Sequence, residues 1–408
     1  MALRAPKGTD DLFPPASHIW RKLLLLWEDW SARYGYDLVQ TPIFEATDVF
    51  TRGVGAGTEV VEKQMYTFED KGGRSLTLRP EGTAPVVRAF LEAGAEGILK
   101  GAYSGPMFRY ERPQAGRRRQ FYQVGVEYLG SRAAAADAEV IELGYRYLIE
   151  AGVPGLNVQV NSIGDRQCRP AYLDVLTAYL EGRREVLCED SLRRLEANPM
   201  RVLDCKVCAP NLSDAPSPVD YLCGACAAHH DRVLTILERL DVPFEMTPRL
   251  VRGLDYYERT AFEYVATDLD AAQDAVGGGG RYDGLAELLG GKPVPGVGFA
   301  LGIDRIVLTL GMVRQPNPLD LFIVVAGDRR LEAVRLASDL RRRGFRVDLD
   351  IDGRSVKAQF RAADRRGAAG ALVIGDEWDD GRVVAKDLTA GDQEVISIEE
   401  VEAWARRQ

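Results

Sequence analysis

The chain has 408 residues, a hydrophobic fraction of 46% and a formal net charge of −9 at pH 7. This length allows two or three domains with cores of their own, and the net acidity argues against indiscriminate nucleic-acid binding but not against a local basic groove. Only three histidines occur, and His229 and His230 are adjacent, so a Ser-His-Asp triad or a multi-histidine metal site has little to build from.

Targeting signals and disulfides are not indicated by the sequence. The apolar runs are all shorter than the roughly 18 residues of a membrane span, and no apolar signal core precedes the acidic pair near the N-terminus. Six cysteines, four of them clustered, do not form a disulfide framework at this length. We therefore predict a cytoplasmic protein without a membrane partner.

The first part of the chain predicts helices and strands in turn. Apolar residues at helical spacing predict a helix over residues 18–34, which ends at Gly35. A strand over 36–46 follows, and Pro42 limits it to a sheet edge or a bulge. Residues 74–94 predict a short strand, a turn and a second helix.

Five arginines fall within fourteen residues, 108–121 (FRYERPQAGRRRQF), between two strand-like runs. Arginine binds phosphate in two-pronged geometry and stays charged at any working pH. Arg109 lies on the incoming strand, and strand alternation would direct Arg117 and Arg119 to one face and Arg118 to the other. The segment predicts a phosphate-binding hairpin, with a plain solvated turn as the alternative.

Later segments indicate separate domains. An amphipathic helix over 137–152 and a strand over 156–165 precede a helical, cysteine-bearing stretch, 166–244, that resembles an insertion. A Pro/Asn-containing linker is predicted at 312–320. Strands and helices alternate over 319–408, which predicts a small α/β domain with a largely parallel sheet.

Several other segments carry side chains suited to a small-molecule site. Gln123 and Glu127, four residues apart, would share one face of a strand. The remaining candidates are Glu81 and Thr83 in a strand-to-helix turn, Arg252, Tyr256 and Tyr257 in LVRGLDYYERT, and Arg305 in a helix entered through small residues. Each has an ordinary alternative, such as a surface salt bridge or a core tyrosine.

Neither glycine-rich run, 53–60 or 276–284, has the spacing and context of a Rossmann or Walker A loop. If the chain uses ATP, arginines must therefore replace a phosphate-binding loop.

Four cysteines form a CxxC…CxxC pattern with fourteen residues between the pairs. This spacing is close to that of a zinc ribbon. Cys205, Cys208, Cys223 and Cys226 are therefore predicted to hold a structural Zn²⁺ in the insertion, with a set of reduced thiols as the alternative.

Three ordered segments, around Pro42, over 108–121 and over 296–305 (GVGFALGIDR), resemble the motifs of class II aminoacyl-tRNA synthetases. The segments LVRGLDYY and GGGGRYDGL are, within that class, similar to the histidyl-tRNA synthetase family. The resemblance covers essentially the whole chain. It implies an α+β catalytic domain with a mostly antiparallel sheet flanked by helices over 1–165 and 245–317, an inserted helical domain over 166–244, and a C-terminal α/β anticodon-binding domain over 319–408.

The resemblance also implies an activity: ATP-dependent ligation of L-histidine to its tRNA through a histidyl-adenylate, with release of AMP and pyrophosphate. It implies ATP with Mg²⁺, and a homodimer built partly on the segment around Pro42. By the same resemblance, ATP would be bound by Arg109 and Arg252 at the α-phosphate, Arg305 and Phe121 around the adenine, and Arg117 and Arg119 at the outer phosphates.

For histidine, the resemblance implies that Glu127 and Tyr257 bind the imidazole while Glu81, Thr83 and Gln123 hold the ammonium. Tyr282 would close the pocket beside Tyr256, and Arg112 and Gln114 would meet the tRNA acceptor end. Two alternatives stay open: a regulatory subunit of ATP phosphoribosyltransferase, which resembles the synthetase core, and a class II synthetase for another amino acid, such as threonine or proline.

Overall fold

The computed structural model describes residues 3–55, 57–205, 207–266, 275–311 and 319–407. Among these, residues 3–13 with 19–311 form one compact unit and residues 14–18 with 319–407 form another. The stretch 166–244 lies within the first unit. The predicted linker at 312–320 falls almost wholly outside the described residues.

Helices and strands of the first part of the chain follow the predicted order. The helices are α1 (Ala16–Arg33), α2 (Thr47–Gly53), α3 (Thr83–Glu92), α4 (Ala134–Ala151), α5 (Arg169–Glu181), α6 (Glu189–Ala197), α7 (Gly224–Arg239), α8 (Leu285–Leu288) and α9 (Ile303–Thr309). The strands are β1 (Asp37–Leu38), β2 (Phe44–Ala46), β3 (Tyr66–Glu69), β4 (Ser75–Leu78), β5 (Leu99–Phe108), β6 (Gln120–Leu129), β7 (Leu156–Ser162), β8 (Phe244–Met246), β9 (Glu258–Ala266), β10 (Ala275–Arg281) and β11 (Gly296–Gly302).

An eight-stranded sheet organises this unit, in the order β1-β5-β6-β11-β10-β9-β7-β8. The five inner pairings are antiparallel, and only the outer pairs β1–β5 and β7–β8 are parallel. The mostly antiparallel sheet expected from the resemblance is therefore confirmed. The predicted strand over 36–46 is in fact two, β1 and β2, with Pro42 between them, and β2 joins a separate three-stranded sheet, β2-β4-β3.

Helices α1, α4 and α7 share one hydrophobic core with the large sheet. Trp27 of α1 packs edge-on against Tyr147 of α4, at 5.3 Å, and against Phe299 of β11, at 5.9 Å, between ring centroids. Val233 and Leu237 of α7 belong to the same buried cluster. The 166–244 stretch thus contributes one of the helices that cover the sheet.

A buried ion pair joins strand β10 to helix α4. Arg281 and Asp137 are both fully buried, and Arg281 Nε donates to Asp137 Oδ1 at 3.1 Å. Arg281 also donates to Asp283 and to the Ser131 carbonyl, each at 2.9 Å, while His229 of α7 lies 3.3 Å from Asp137. Because removing one partner of such a pair costs about 3–5 kcal/mol, this network fixes the strand that carries the glycine-rich run.

The second unit is a smaller α/β fold. Its elements are β12 (Leu321–Val325), α10 (Arg330–Arg342), β13 (Val347–Leu349), α11 (Val356–Arg365), β14 (Gly370–Ile374), β15 (Arg382–Asp387), β16 (Gln393–Ser397) and α12 (Val401–Ala405). The sheet order is β13-β12-β14-β15-β16, with α10 and α12 packed on one face and α11 on the other.

Its sheet is mixed, so the largely parallel sheet predicted for this domain is only half correct. Strand β12 is parallel to β13 and β14, whereas β14–β15 and β15–β16 are antiparallel. The connections around β15 are too short for the helical crossover that parallel neighbours need. Within the described parts of both units, no helix is long and apolar enough to cross a membrane.

Candidate active site

A cavity of about 880 Å³ of empty volume opens on the large sheet, between the β5–β6 hairpin, strand β10 and helix α9. The lining includes most of the residues that the sequence predicted for substrates, namely Glu81, Thr83, Arg109, Arg117, Phe121, Gln123, Arg252, Tyr256, Tyr257 and Arg305. Residues far apart in the sequence are therefore brought to one place.

The lining is positively charged although the chain is acidic. Five arginines face three carboxylates, which gives a formal excess of two positive charges: Arg109, Arg117, Arg118, Arg252 and Arg305 against Glu81, Glu111 and Asp304. No histidine or cysteine lines this cavity within the described chain. The site is thus suited to holding polyanions and offers little for proton transfer at neutral pH.

Arg109 follows strand β5 and Arg252 precedes strand β9, and three other strands lie between β5 and β9 in the sheet. Both side chains nevertheless line the same cavity. Arg109, just after β5, donates from Nε to the Pro80 carbonyl at 3.0 Å, and its guanidinium carbon lies 5.2 Å from the Phe121 ring centre. Arg252, ahead of β9, pairs with Glu263, and its buried Nε has no hydrogen-bond partner within the described residues. Burial lowers the pKa of Arg109, but a guanidinium titrates so far above neutrality that it stays charged.

The glycines of β10 make room for these side chains. A Cβ on Gly278 would lie 2.9 Å from Arg252 Nη1 and 2.5 Å from the Phe262 carbonyl oxygen. A Cβ on Gly280 would lie 2.8 Å from the Tyr257 ring. The run GGGG therefore serves close packing under the site, and not a phosphate-binding loop.

The turn before α3 is held by its own carboxylate. Glu81 accepts the backbone N–H groups of Thr83, at 2.6 Å, and Ala84, at 3.0 Å, at the start of the helix. Burial raises the pKa of Glu81 above its usual value. Thr83 in turn donates its hydroxyl to Glu127 at 2.7 Å, so the turn and strand β6 are locked together.

Glu127 and Tyr282 lie beneath the cavity. Both are almost fully buried and neither belongs to the lining. The Tyr282 hydroxyl donates to Glu127, and burial raises the pKa of Glu127 to about 8. Tyr282 therefore does not stand over the pocket as predicted. It supports Glu127 from below and packs edge-on against Tyr256, with 5.7 Å between ring centres.

Strand alternation gave the wrong arginine at the hairpin. Arg117 and Arg118 line the cavity, whereas Arg119 stacks on Tyr110, with 3.9 Å from its guanidinium carbon to the ring centre. The reason is that β5 ends at Phe108 and β6 begins at Gln120, so the intervening residues have no strand periodicity. Arg112 and Gln114 are exposed in this turn, as expected of a tip.

Four polar lining residues were not assigned to the site by the sequence analysis: Tyr103, Glu111, Arg118 and Asp304. Three of them had a signal, because Glu111 and Arg118 lie inside the arginine-rich segment and Asp304 precedes Arg305. Asp304 accepts the Tyr122 backbone N–H at 2.9 Å and thereby joins α9 to β6. Tyr103 had no such signal, because a tyrosine within a regular strand is ordinarily taken as a core residue.

The predicted four-cysteine zinc site is not formed. The two CxxC pairs belong to separate groups in the described structure: Cys205 and Cys208 lie with Cys188, while Cys223 and Cys226 lie with Asp165 and Cys168. Each pair finds its partners on another element, which spacing along the chain cannot show. All six cysteines are free thiols.

Comparisons with known proteins agree with this architecture. Residues 8–306 match the sequence model of the family described as histidyl-tRNA synthetase, and residues 320–408 match that of an anticodon binding domain. The histidine–tRNA ligase of Desulforudis audaxviator is 48% identical, over 100% of this chain and 99% of its own. That of Halothermothrix orenii is 47% identical, over 98% and 97% respectively.

Among solved structures, apo S. aureus histidyl-tRNA synthetase is similar with a TM-score of 0.80 and 37% identity, covering 99% of this chain and 100% of its own. The chain therefore belongs to the histidyl-tRNA synthetase family.

Proposed function

We propose that the chain is a ligase that joins L-histidine to its tRNA at the expense of ATP, through a histidyl-adenylate, with release of AMP and pyrophosphate. Membership of the histidyl-tRNA synthetase family supports this activity. The structural observation that supports it most strongly is that Arg109 and Arg252 line one cavity together with Arg305 of α9.

The first step needs positioning more than proton chemistry. The histidine carboxylate attacks the α-phosphorus and pyrophosphate leaves, so two anions must be held in contact while charge develops on the phosphoryl oxygens. Arg109 contacts the α-phosphate and the substrate carboxylate, and Arg252 reaches the same phosphate from the other side. Fixed guanidinium groups in a partly dehydrated cavity stabilise such charge without reorganising.

The rest of ATP is assigned to neighbouring side chains. Arg305 covers the adenine and the γ-phosphate, held by its own donation to the Ala275 carbonyl at 2.7 Å. Phe121 stacks beneath the adenine. Arg117 takes the outer phosphates together with Arg118, which replaces the earlier assignment of Arg119.

Family membership implies Mg²⁺ with ATP, and the oxygen donors of the cavity fit that ion. Mg²⁺ in nucleotide sites is usually bound through one or two carboxylates and the substrate phosphates. Glu81 and Asp304 already accept backbone N–H groups. Glu111, whose ion-pair partner Arg117 is 3.7 Å away, is the residue that would hold the ion. When bound, Mg²⁺ would neutralise phosphate charge.

Histidine is placed at the Glu127 end of the cavity. Imidazole needs one acceptor and one donor-acceptor partner. Tyr257 lines the cavity, and Glu127, which lies beneath it and accepts from Thr83 and Tyr282, supplies the acceptor once its carboxylate turns toward the ligand. Glu81, Thr83 and Gln123 hold the ammonium, and the buried Gln123 Oε1 has no partner within the described residues, as expected of an atom that awaits a ligand. An analogue without ring nitrogens would leave Glu127 and Tyr257 without their ligand partners, and the site should therefore reject it.

The domain roles follow the same family. Residues 1–165 and 245–317 are proposed as the catalytic core, 166–244 as the inserted domain, and 319–408 as the anticodon-binding domain that the family match at 320–408 supports. At the hairpin, exposed Arg112 and Gln114 meet the tRNA acceptor end.

A homodimer is proposed through the three-stranded sheet beside Pro42. Ile43, Phe44 and Phe68 there are large apolar side chains exposed by 44–47%, which is the kind of patch that a partner surface covers. Six free thiols and a tRNA substrate favour the cytoplasm as the setting.

Amino-acid-dependent exchange of pyrophosphate into ATP tests the proposed activity. Only histidine should support exchange. Exchange driven by threonine or proline would indicate another synthetase of the class, and no exchange with any amino acid would indicate a regulatory paralogue.

A further inference from the structure

Asp165 and three cysteines of the 166–244 stretch that follows it meet at one point. Cys168 immediately precedes α5, Cys223 immediately precedes α7, and Cys226 lies in the first turn of α7. A carboxylate oxygen of Asp165 and the three Sγ atoms all lie within 4.8 Å of one another. We propose that these four side chains bind a structural Zn²⁺ ion.

The donor set and its spacing fit zinc. Tetrahedral Zn–S bonds of about 2.3 Å place neighbouring sulfurs roughly 3.8 Å apart, so the four ligand atoms need only small shifts to close on one ion. Thiolates select zinc over the hard cations Mg²⁺ and Ca²⁺. Three thiolates and a carboxylate fill all four positions, so the ion has a structural role and no open site for a substrate.

The surrounding contacts already orient the ligands. Asp165 Oδ1 accepts the Gln167 backbone N–H at 3.0 Å, and Oδ2 accepts from Arg259 at 3.2 Å. Supporting partners of this kind accompany most protein metal ligands. Gly164 has φ +65°, and a Cβ there would lie 2.8 Å from Cys168 Sγ, so a glycine is required for the thiol to occupy its place.

The group formed by Cys188, Cys205 and Cys208 offers a different set of metal ligands. Cys188 and Cys205 have their sulfurs 3.6 Å apart, and Cys208 Sγ lies 3.3 Å from the Ser191 hydroxyl. The fourth position is thus a neutral hydroxyl instead of a carboxylate, which makes the group a poorer zinc site. Its cysteines provide matched controls.

The proposed ion would stabilise the backbone segment that carries Tyr256 and Tyr257. Arg169, next to Cys168, donates to the Tyr257 carbonyl at 2.7 Å. The Arg259 backbone N–H donates to the Gly164 carbonyl at 2.7 Å. The metal site therefore lies at the base of the loop that carries Tyr256 and Tyr257 into the cavity.

Metal content of the untagged full-length protein, purified without chelators, tests the proposal. Cys223→Ser should lose one zinc per chain relative to the parent protein, as measured by elemental mass spectrometry. Asp165→Ala should weaken zinc binding by more than about tenfold in competition with a chromogenic chelator, since loss of even a supporting partner costs 10–100-fold. Asp165→Cys should retain the ion.

Cobalt substitution identifies the ligands independently of stability. The parent protein with Co²⁺ should show tetrahedral, thiolate-rich absorption, and Asp165→Cys should shift that spectrum, whereas Cys205→Ser should leave the Asp165-dependent bands in place. The proposal is overturned if the parent protein binds neither metal. It is equally overturned if Cys223→Ser keeps the full zinc content of the parent, or if Asp165→Cys leaves the cobalt spectrum unchanged.

Discussion

Arg109 and Arg252 line the same cavity although strands β6, β11 and β10 lie between the strands next to them. Each is held by a neighbour, Arg109 by the Pro80 carbonyl at 3.0 Å and Arg252 by Glu263. Both side chains bring a fixed positive charge to the same cavity, which favours the binding of an anion there. This convergence is the physical basis of the proposed phosphoryl chemistry.

The glycine at position 278 should be required for activity, and an alanine there should also strain the sheet, because its Cβ would lie 2.5 Å from the Phe262 carbonyl oxygen. Gly278→Ala puts a Cβ 2.9 Å from Arg252 Nη1, and a shift of about 1 Å in a positioned group can cost about 100-fold in rate. We expect a loss of that order in histidine-dependent pyrophosphate exchange. Gly182→Ala is the matched control, because its nearest neighbours would be 3.6 Å away, and it should leave the rate unchanged. Equal rates for the two variants would contradict the role of this strand.

Histidine binding should release a proton from Glu127. Because burial raises the pKa of Glu127 to about 8, its carboxyl is mostly protonated near neutral pH in the free protein. An imidazole N–H that donates to Glu127 favours the carboxylate, so affinity should rise with pH up to about 8 and then level off. Titration calorimetry in buffers of different ionisation enthalpy counts the proton. Glu127→Gln should release fewer protons than the parent, and an identical count would contradict the assignment.

The hairpin tip should affect tRNA and not adenylate formation. Arg112→Ala should raise the KM for tRNA and lower the salt slope of binding by about 1, as expected for one phosphate contact. Pyrophosphate exchange should stay at the parent rate. Arg193→Ala, which removes another exposed arginine, serves as the control. Unchanged aminoacylation at every salt concentration would exclude a tRNA contact by Arg112.

Residue chemistry allowed much of the site to be predicted, but strand periodicity beyond the strand ends did not. Arg109 was predicted from its place in the arginine-rich segment, Arg252 and Arg305 were assigned to ATP by the family resemblance, and all three line the cavity. Arg119 was misplaced because β5 ends at Phe108, after which alternate residues no longer share a face.

The sequence also did not indicate how deeply a side chain is buried or which distant residues come together in the fold. Tyr282 was correctly associated with the pocket region, but nothing in GGRYDG indicates that its hydroxyl reaches Glu127 from beneath. The cysteine pairs are similar: Cys223 and Cys226 lie next to Cys168, more than fifty residues earlier, because β7 and α7 are brought together by packing on the sheet.

The central claim is tested most directly with Arg252→Ala, assayed separately for adenylate formation and for histidine binding. Adenylate formation should fall by about 10²–10³-fold or more, the scale set by loss of one charge-stabilising donor, while the Kd for histidine stays within a few-fold of the parent value. Arg252→Lys keeps the charge but loses the two-pronged geometry, so its rate of adenylate formation should lie between those of the parent protein and Arg252→Ala. If adenylate formation and histidine binding instead fall by the same factor, Arg252 does not act on the reacting phosphate.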